Sequence, residues 1–292
     1  MLLNSALMSK FITQLSYVGE ECIPTLRLSS GEEYLPLGKT LGLSFDLTER
    51  NCIGWHDISN GGSYPCPEEA RTDKKFETCP ACQRRTGFNP AFYHTTAVSP
   101  QQEARNAEPH TLYLAYMGKN YIKVGISWSN RGTKRLLDQG ARAGLILETF
   151  PTALIARQYE SKIAELEGLH ETTSTRTKLA LLKTSFDKEE TEQHLLATKQ
   201  HIEEALSVRF SSRNTLFFDA FYTNESVPSG EITVLADPCI SGKAVALVGD
   251  ILITEYIGRT LALPLKQFIG YRAEFTDKIL PLKLEPQQMQ LF

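Results

Sequence analysis

TLYLAYMGKNYIKVGIS, residues 111–127, decides the reading of this chain. Two runs rich in Tyr, Leu, Ile and Val flank Gly-Lys-Asn, the pattern of two strands joined by a tight turn. RGTKRLLDQGARAG (131–144) follows as a helix closed by Gly, LILETFP (145–151) as a third strand, and TALIARQYESKIAEL (152–166) as an amphipathic helix with Thr152 at its N-cap. The order is β-β-α-β-α, a small α+β module over residues 108–170.

Upstream, FITQLSYV (11–18), PTLRLS (24–29) and LGLSFDL (41–47) read as short strands, within an N-terminal unit of residues 1–50. Residues 51–98 are rich in Gly, Pro, Cys and charge, with little periodicity; such a segment needs a metal to hold it. SPQQEARNAEPH (99–110) reads as a linker or surface loop. Downstream, residues 171–212 form a helical connector: 171–186 show no clear period, and 187–209 read as a helix with Leu195, Ile202 and Leu206 on its apolar stripe. From residue 213 to 292 the pattern turns to β: TLFFDAFYT (215–223), EITVLA, KAVALV, DILITEY, RTLALP and YRAEF. Short strands with Gly turns suggest a small barrel or curled sheet, which the early strands can join.

Composition narrows the class. With 292 residues, 41% hydrophobic, 22% charged and a net charge of −3, the chain can bury a core and is not coated in basic charge. No stretch approaches the roughly 18 apolar residues of a membrane span, and MLLNSALM lacks the positive n-region of a secretory signal, so a cytoplasmic home is expected. Residues 1–7 read as a longer translation start ahead of Met8.

Six cysteines are present, and four follow the spacing Cys52-x13-Cys66-x12-Cys79-x2-Cys82. Two thiolates two residues apart grip one ion, and Zn²⁺ favours four soft ligands in a tetrahedron. His56 is an alternative ligand. With four protein ligands no coordination position stays open, so the zinc is expected to be structural. Cys22 and Cys239 read as small hydrophobes.

Between Lys119 and Arg142 six basic residues (Lys119, Lys123, Arg131, Lys134, Arg135, Arg142) face Asp138 alone, and Tyr116, Tyr121 and Trp128 lie among them as base-stacking candidates. Arg71, Lys74, Lys75, Arg84 and Arg85 add a basic fringe to the cysteine segment. The expected partner is DNA or RNA.

The segment from Leu112 to Ile163 resembles the catalytic module of the GIY-YIG nuclease superfamily. The first signature corresponds to Leu112-Tyr113-Leu114 and the second to Lys123-Val124-Gly125-Ile126, with Arg135 on the next helix and Glu160 on a later one. The chain also resembles a bacterial and archaeal family described as a domain of unknown function, over most of residues 50–165. The superfamily resemblance implies a metal-dependent nuclease. Glu160 would hold one Mg²⁺ or Mn²⁺, Arg135 would pair with a phosphate oxygen, and Tyr113 would position water or act as base once its pKa is lowered. Two positions depart from the pattern. Lys123 stands where a Tyr is expected, with Tyr121 a partial substitute, and Gln139 stands where a His is often found. Catalysis therefore stays open, the alternative being a non-catalytic nucleic-acid-binding or adaptor protein with structural zinc.

Overall fold

The computed structural model describes residues 10–73, 75–88, 98–119, 121–211, 214–223 and 227–284. The reading of residues 1–7, and Lys74, lie outside them.

In chain order, β1 (Ile12–Val18), β2 (Ile23–Leu28) and β3 (Glu33–Tyr34) precede the long strand β4 (Thr40–Asn51). The cysteine segment holds β5 (Trp55–His56), β6 (Ser63–Tyr64), β7 (Arg71–Thr72) and α1 (Pro80–Thr86). After α2 (Pro100–Asn106) come β8 (His110–Gly118), β9 (Tyr121–Trp128), α3 (Lys134–Gln139), β10 (Ala143–Phe150), α4 (Ala153–Ala164) and β11 (Leu169–His170). Then follow α5 (Thr175–Leu182), α6 (Lys188–Leu206), β12 (Leu216–Phe217) and α7 (Asp219–Tyr222). The chain closes with β13 (Ile232–Val234), β14 (Cys239–Val248), β15 (Ile251–Tyr256), β16 (Arg259–Pro264) and β17 (Tyr271–Thr276).

The structure is a mixed α+β arrangement of several sheets. Five strands run in the order β11-β9-β8-β10-β12, and a larger sheet runs β13-β16-β15-β14-β4-β17, with β7 also on β4. β1-β2-β3 and β5-β6 form separate small sheets. The larger sheet is open, ending at β13 and β17, so the expected barrel closure does not occur.

Alternation along β8 explains the layering. Leu112, Leu114 and Tyr116 share a buried cluster with Val124, Leu145, Ile163 and Leu195, on the side covered by α4 and α6. Tyr113, Ala115 and Met117 point the other way, toward Leu136 and Leu137 of α3 and Ala246, Val248, Ile251 and Ile253 of the larger sheet. Leu247 and Leu252 of that sheet face a third cluster with Ile12, Leu26 and Leu43. Burial on both faces is why β8, β14 and β15 are apolar nearly throughout rather than alternating. Tyr17 ties β1 across the layers: its hydroxyl donates to Leu247 O at 2.8 Å and accepts from Gly249 N at 2.9 Å.

The helix starts follow ordinary chemistry. Thr152 caps α4 by accepting from Ile155 N, Asp187 caps α6 by accepting from Glu190 N, and Gly140 in the left-handed region closes α3. Three stretches differ from their sequence reading. The expected linker 99–110 contains α2, which Ser99 caps through Gln102 N ahead of Pro100. The aperiodic stretch 171–186 contains α5, capped by Ser174. TLFFDAFYT, expected as one strand, is a two-residue strand followed by the turn α7, whose Tyr222 is buried with its hydroxyl donating to Ala141 O at 2.6 Å.

Candidate functional site

Two constellations carry chemistry. In the first, Cys52 follows the end of β4, Cys66 lies between β6 and β7, and Cys79 and Cys82 sit at the start of α1. All four are buried, and their sulfurs lie within 4.8 Å of one another. The Cys66–Cys79 separation is 3.9 Å, close to the roughly 3.8 Å edge of a tetrahedron of sulfurs about 2.3 Å from zinc. Backbone amides aim at the sulfurs: Cys79 N donates to Cys52 Sγ at 3.1 Å and Gly54 N at 3.4 Å. The Cys82 N–H pulls the Cys79 thiol below its ordinary value, while burial pushes the Cys52 and Cys82 thiols up, the direction a bound cation would reverse. Gly54 is required here, since it has φ +95° and a Cβ would lie 1.9 Å from Tyr64 O. The donor set fits a structural metal such as zinc, and among the described residues these four form the whole ligand group. His56 is not part of it; its Nδ1 meets Ser63 Oγ at 3.3 Å.

The second constellation lies on the sheet face that Tyr113 of β8 shares with Lys123 and Gly125 of β9. Tyr113 on β8 is opposite Gly125, and Lys123 is opposite Ala115. A Cβ at residue 125 would meet Tyr113 Oη at 2.5 Å, so the missing side chain is what admits the phenol. Tyr113 is 2% exposed, and Gln139 Nε2 donates to its hydroxyl at 2.6 Å. Burial raises its pKa, while Arg135 and Gln139 pull it partly back. The direction is opposite to the lowering that a base role requires.

Lys123 is half-buried. Among the described residues no carboxylate forms an ion pair with it, and its ammonium reaches only Val124 O, at 3.5 Å. Burial first, then the Arg135 charge, push its pKa down to about 8; Glu160 and Glu171 act against this, and Lys178 with it. Glu160 is 7% exposed and bound to Arg157 at 2.7 Å, and the same Arg157 nitrogen reaches Glu171 at 2.9 Å. Burial raises the Glu160 pKa, with Arg157 and Lys123 opposing. The Arg135 and Glu160 charges bear on both Tyr113 and Lys123, and the Glu160 carboxylate is already paired with Arg157.

The flanking residues divide. Lys119 and Lys134 are exposed. Arg131 pairs with Asp138 at 2.6 Å. Arg142, expected on a binding surface, is 3% exposed and holds Asp219 through two nitrogens, one at 3.1 Å, beside the Phe186 ring; it is committed to the fold. Tyr116 is buried in the core. Trp128 is covered by Arg105 of α2, whose guanidinium carbon lies 3.2 Å from the ring centroid. Tyr121 stacks on His170 at 4.1 Å and donates to Thr172 O, so it does not replace the absent phenol at residue 123. Sequence reading did not single out Glu171 or Lys178 for this neighbourhood. Neither carries a spacing signal, because they arrive through β11 and α5 after the recognised pattern ends.

The chain belongs to the family described as Protein of unknown function (DUF2797), which matches residues 38–273. No curated protein and no solved structure matches it. The GIY-YIG resemblance has no counterpart in these comparisons. Among the described residues no helix is long and apolar enough to cross a membrane.

Proposed function

We propose that this protein binds nucleic acid, gripping the phosphodiester backbone with Lys123 and Arg135 while zinc in the four-cysteine site braces the neighbouring segment. The observation behind this reading is the charge arrangement: two cations share one neighbourhood while the adjacent carboxylate, Glu160, is bound to Arg157. A guanidinium there suits a phosphate oxygen pair, and exposed Lys119 and Lys134 extend the basic surface. Binding to single- and double-stranded DNA and RNA, measured across a salt series, tests it. The expected result is salt-sensitive affinity that Arg135→Ala weakens, lowering the salt slope by about one, and that survives Glu160→Ala. Equal binding by wild type and Arg135→Ala would refute it.

One observation favours a second reading, a metal-dependent nuclease: the Arg135 and Glu160 charges both bear on Tyr113 and on Lys123. With Arg157 held by Glu171 alone, Glu160 would be free to hold Mg²⁺ or Mn²⁺, which supplies charge for phosphodiester hydrolysis. Hydrolysis that requires either ion and disappears in Glu160→Ala would favour this reading.

A further inference from the structure

The hairpin of β5 and β6 carries two aromatic rings beside the sulfur site. Trp55 packs against the four buried cysteines. Tyr64, its cross-strand partner, stacks on it with ring centroids 4.6 Å apart and planes 20° apart. The stack occupies one face of the Tyr64 ring, yet Tyr64 remains 41% exposed. Glycine at residue 62 keeps side-chain atoms off it, since a Cβ there would lie 2.9 Å from the hydroxyl and 3.0 Å from a ring carbon.

The last turn of α1 brings charge to the same hairpin. His56 N donates to Thr86 Oγ1 at 3.2 Å, and the two residues before Thr86, Arg84 and Arg85, are exposed with no ion pair among the described residues. Of the acids around them, Glu49 holds Arg71 and Glu77 holds Arg50, while Asp57 and Asp73 accept from backbone amides of their own turns. Glu68 and Glu69 stay exposed, on the turn before β7. Arg105 of α2 fastens the hairpin loop to the end of β9, donating to Ile58 O at 2.6 Å and Ser59 O at 3.0 Å while covering Trp128.

We propose that Tyr64 is a stacking platform for an unpaired base of single-stranded nucleic acid, with Arg84 and Arg85 on the adjoining phosphates. This inference rests on the nucleic-acid reading above and names the class of strand. Every base has a π-face, so an exposed ring backed by a second aromatic stacks any unpaired base, whereas the bases of a duplex are stacked on one another. An aromatic pair by itself also suits a proline-rich peptide; two unpaired guanidinium groups beside it select a polyanion.

The test uses the full chain supplied with zinc, a labelled oligothymidine strand and a duplex of the same length, across a salt series. The expected result is that Tyr64→Ala weakens single-strand binding about tenfold at an unchanged salt slope, that Tyr64→Phe restores it, and that duplex binding does not change. Arg84→Ala combined with Arg85→Ala should lower the single-strand slope by about 1.4. Trp128→Phe leaves Trp55 as the single tryptophan, whose emission the strand should quench with the Tyr64 ring still in place. No single-strand binding, binding that Tyr64→Ala leaves intact without quenching, or a proline-rich peptide bound in the strand's stead overturns the platform; duplex binding weakened by Arg135→Ala would still keep the backbone grip. Single-strand binding lost in Tyr64→Ala but unchanged in Arg135→Ala does the reverse, refuting the grip and keeping the platform.

Discussion

The four-cysteine segment and the β8–α4 module are held together by different forces. Among the described residues, the apolar company packed around the sulfurs is Trp55, Ala70 and Ala81. Around β8, buried clusters cover both strand faces. In the first region the four thiols, a donor set that fits a structural metal, stand where a core would be. In the second the core is ample, so its half-buried polar residues cost stability that packing must offset. Lys123 and Glu160 are such residues: they lie at the margin of a good core, and burial pushes each toward its neutral form. Polar groups kept at a cost are better candidates for function than polar groups that hold a fold together.

The largest expected effect falls on the sulfur region. Cys82→Ser, or prolonged chelation, should remove the single bound metal and unfold the segment from β5 to α1, since structural zinc contributes on the order of 10 kcal/mol in small zinc domains. Metal content with amide hydrogen exchange reads this, and the β8–α4 amides should stay protected; loss of protection there too would break the contrast between the two regions. Next comes the buried Arg142–Asp219 pair. Arg142→Ala strands a carboxylate and should cost about 3–5 kcal/mol in denaturant unfolding, with metal content unchanged.

Gly125→Ala probes the packing that admits the phenol. Its methyl must displace Tyr113 Oη, so a loss of about 1–3 kcal/mol is expected. The smallest effect has the opposite sign. Lys123 releases its proton more easily folded, near pH 8, than at the ordinary value of 10.5. The unfolded chain holds more protons between these values, so the Lys123 contribution to stability rises with pH across that window and its penalty is full below it. Lys123→Met should therefore stabilise the protein at pH 7 by about 1–2 kcal/mol and flatten that rise. A destabilised Lys123→Met variant would show that the lysine supports the fold, erasing the distinction between a costly polar group and a structural one.

Local signals carried much of this structure. Gly140 closing α3, Thr152 and Asp187 capping their helices, and the β-former-rich runs of β8 and β9 around Gly-Lys-Asn are written in a few adjacent residues each. α2 was legible too, since Ser99-Pro100 is a helix start, but the polar run after it reads equally well as a loop. In residues 215–223 the aromatic run favours a strand, yet the pull of the Tyr222 hydroxyl on Ala141 O wins.

The sequence alone determined the cysteine quartet, because x2 spacing places two sulfurs on one turn, and the hairpin, because two runs of β-formers around a tight turn are a local signal. Tertiary structure alone decided that His56 turns to Ser63, that Arg142 goes to Asp219, and that Glu160 shares Arg157 with Glu171. Those outcomes depend on which elements meet in space. Charge pairing acts over a few ångströms across segments far apart in the chain, and no residue pattern encodes that distance.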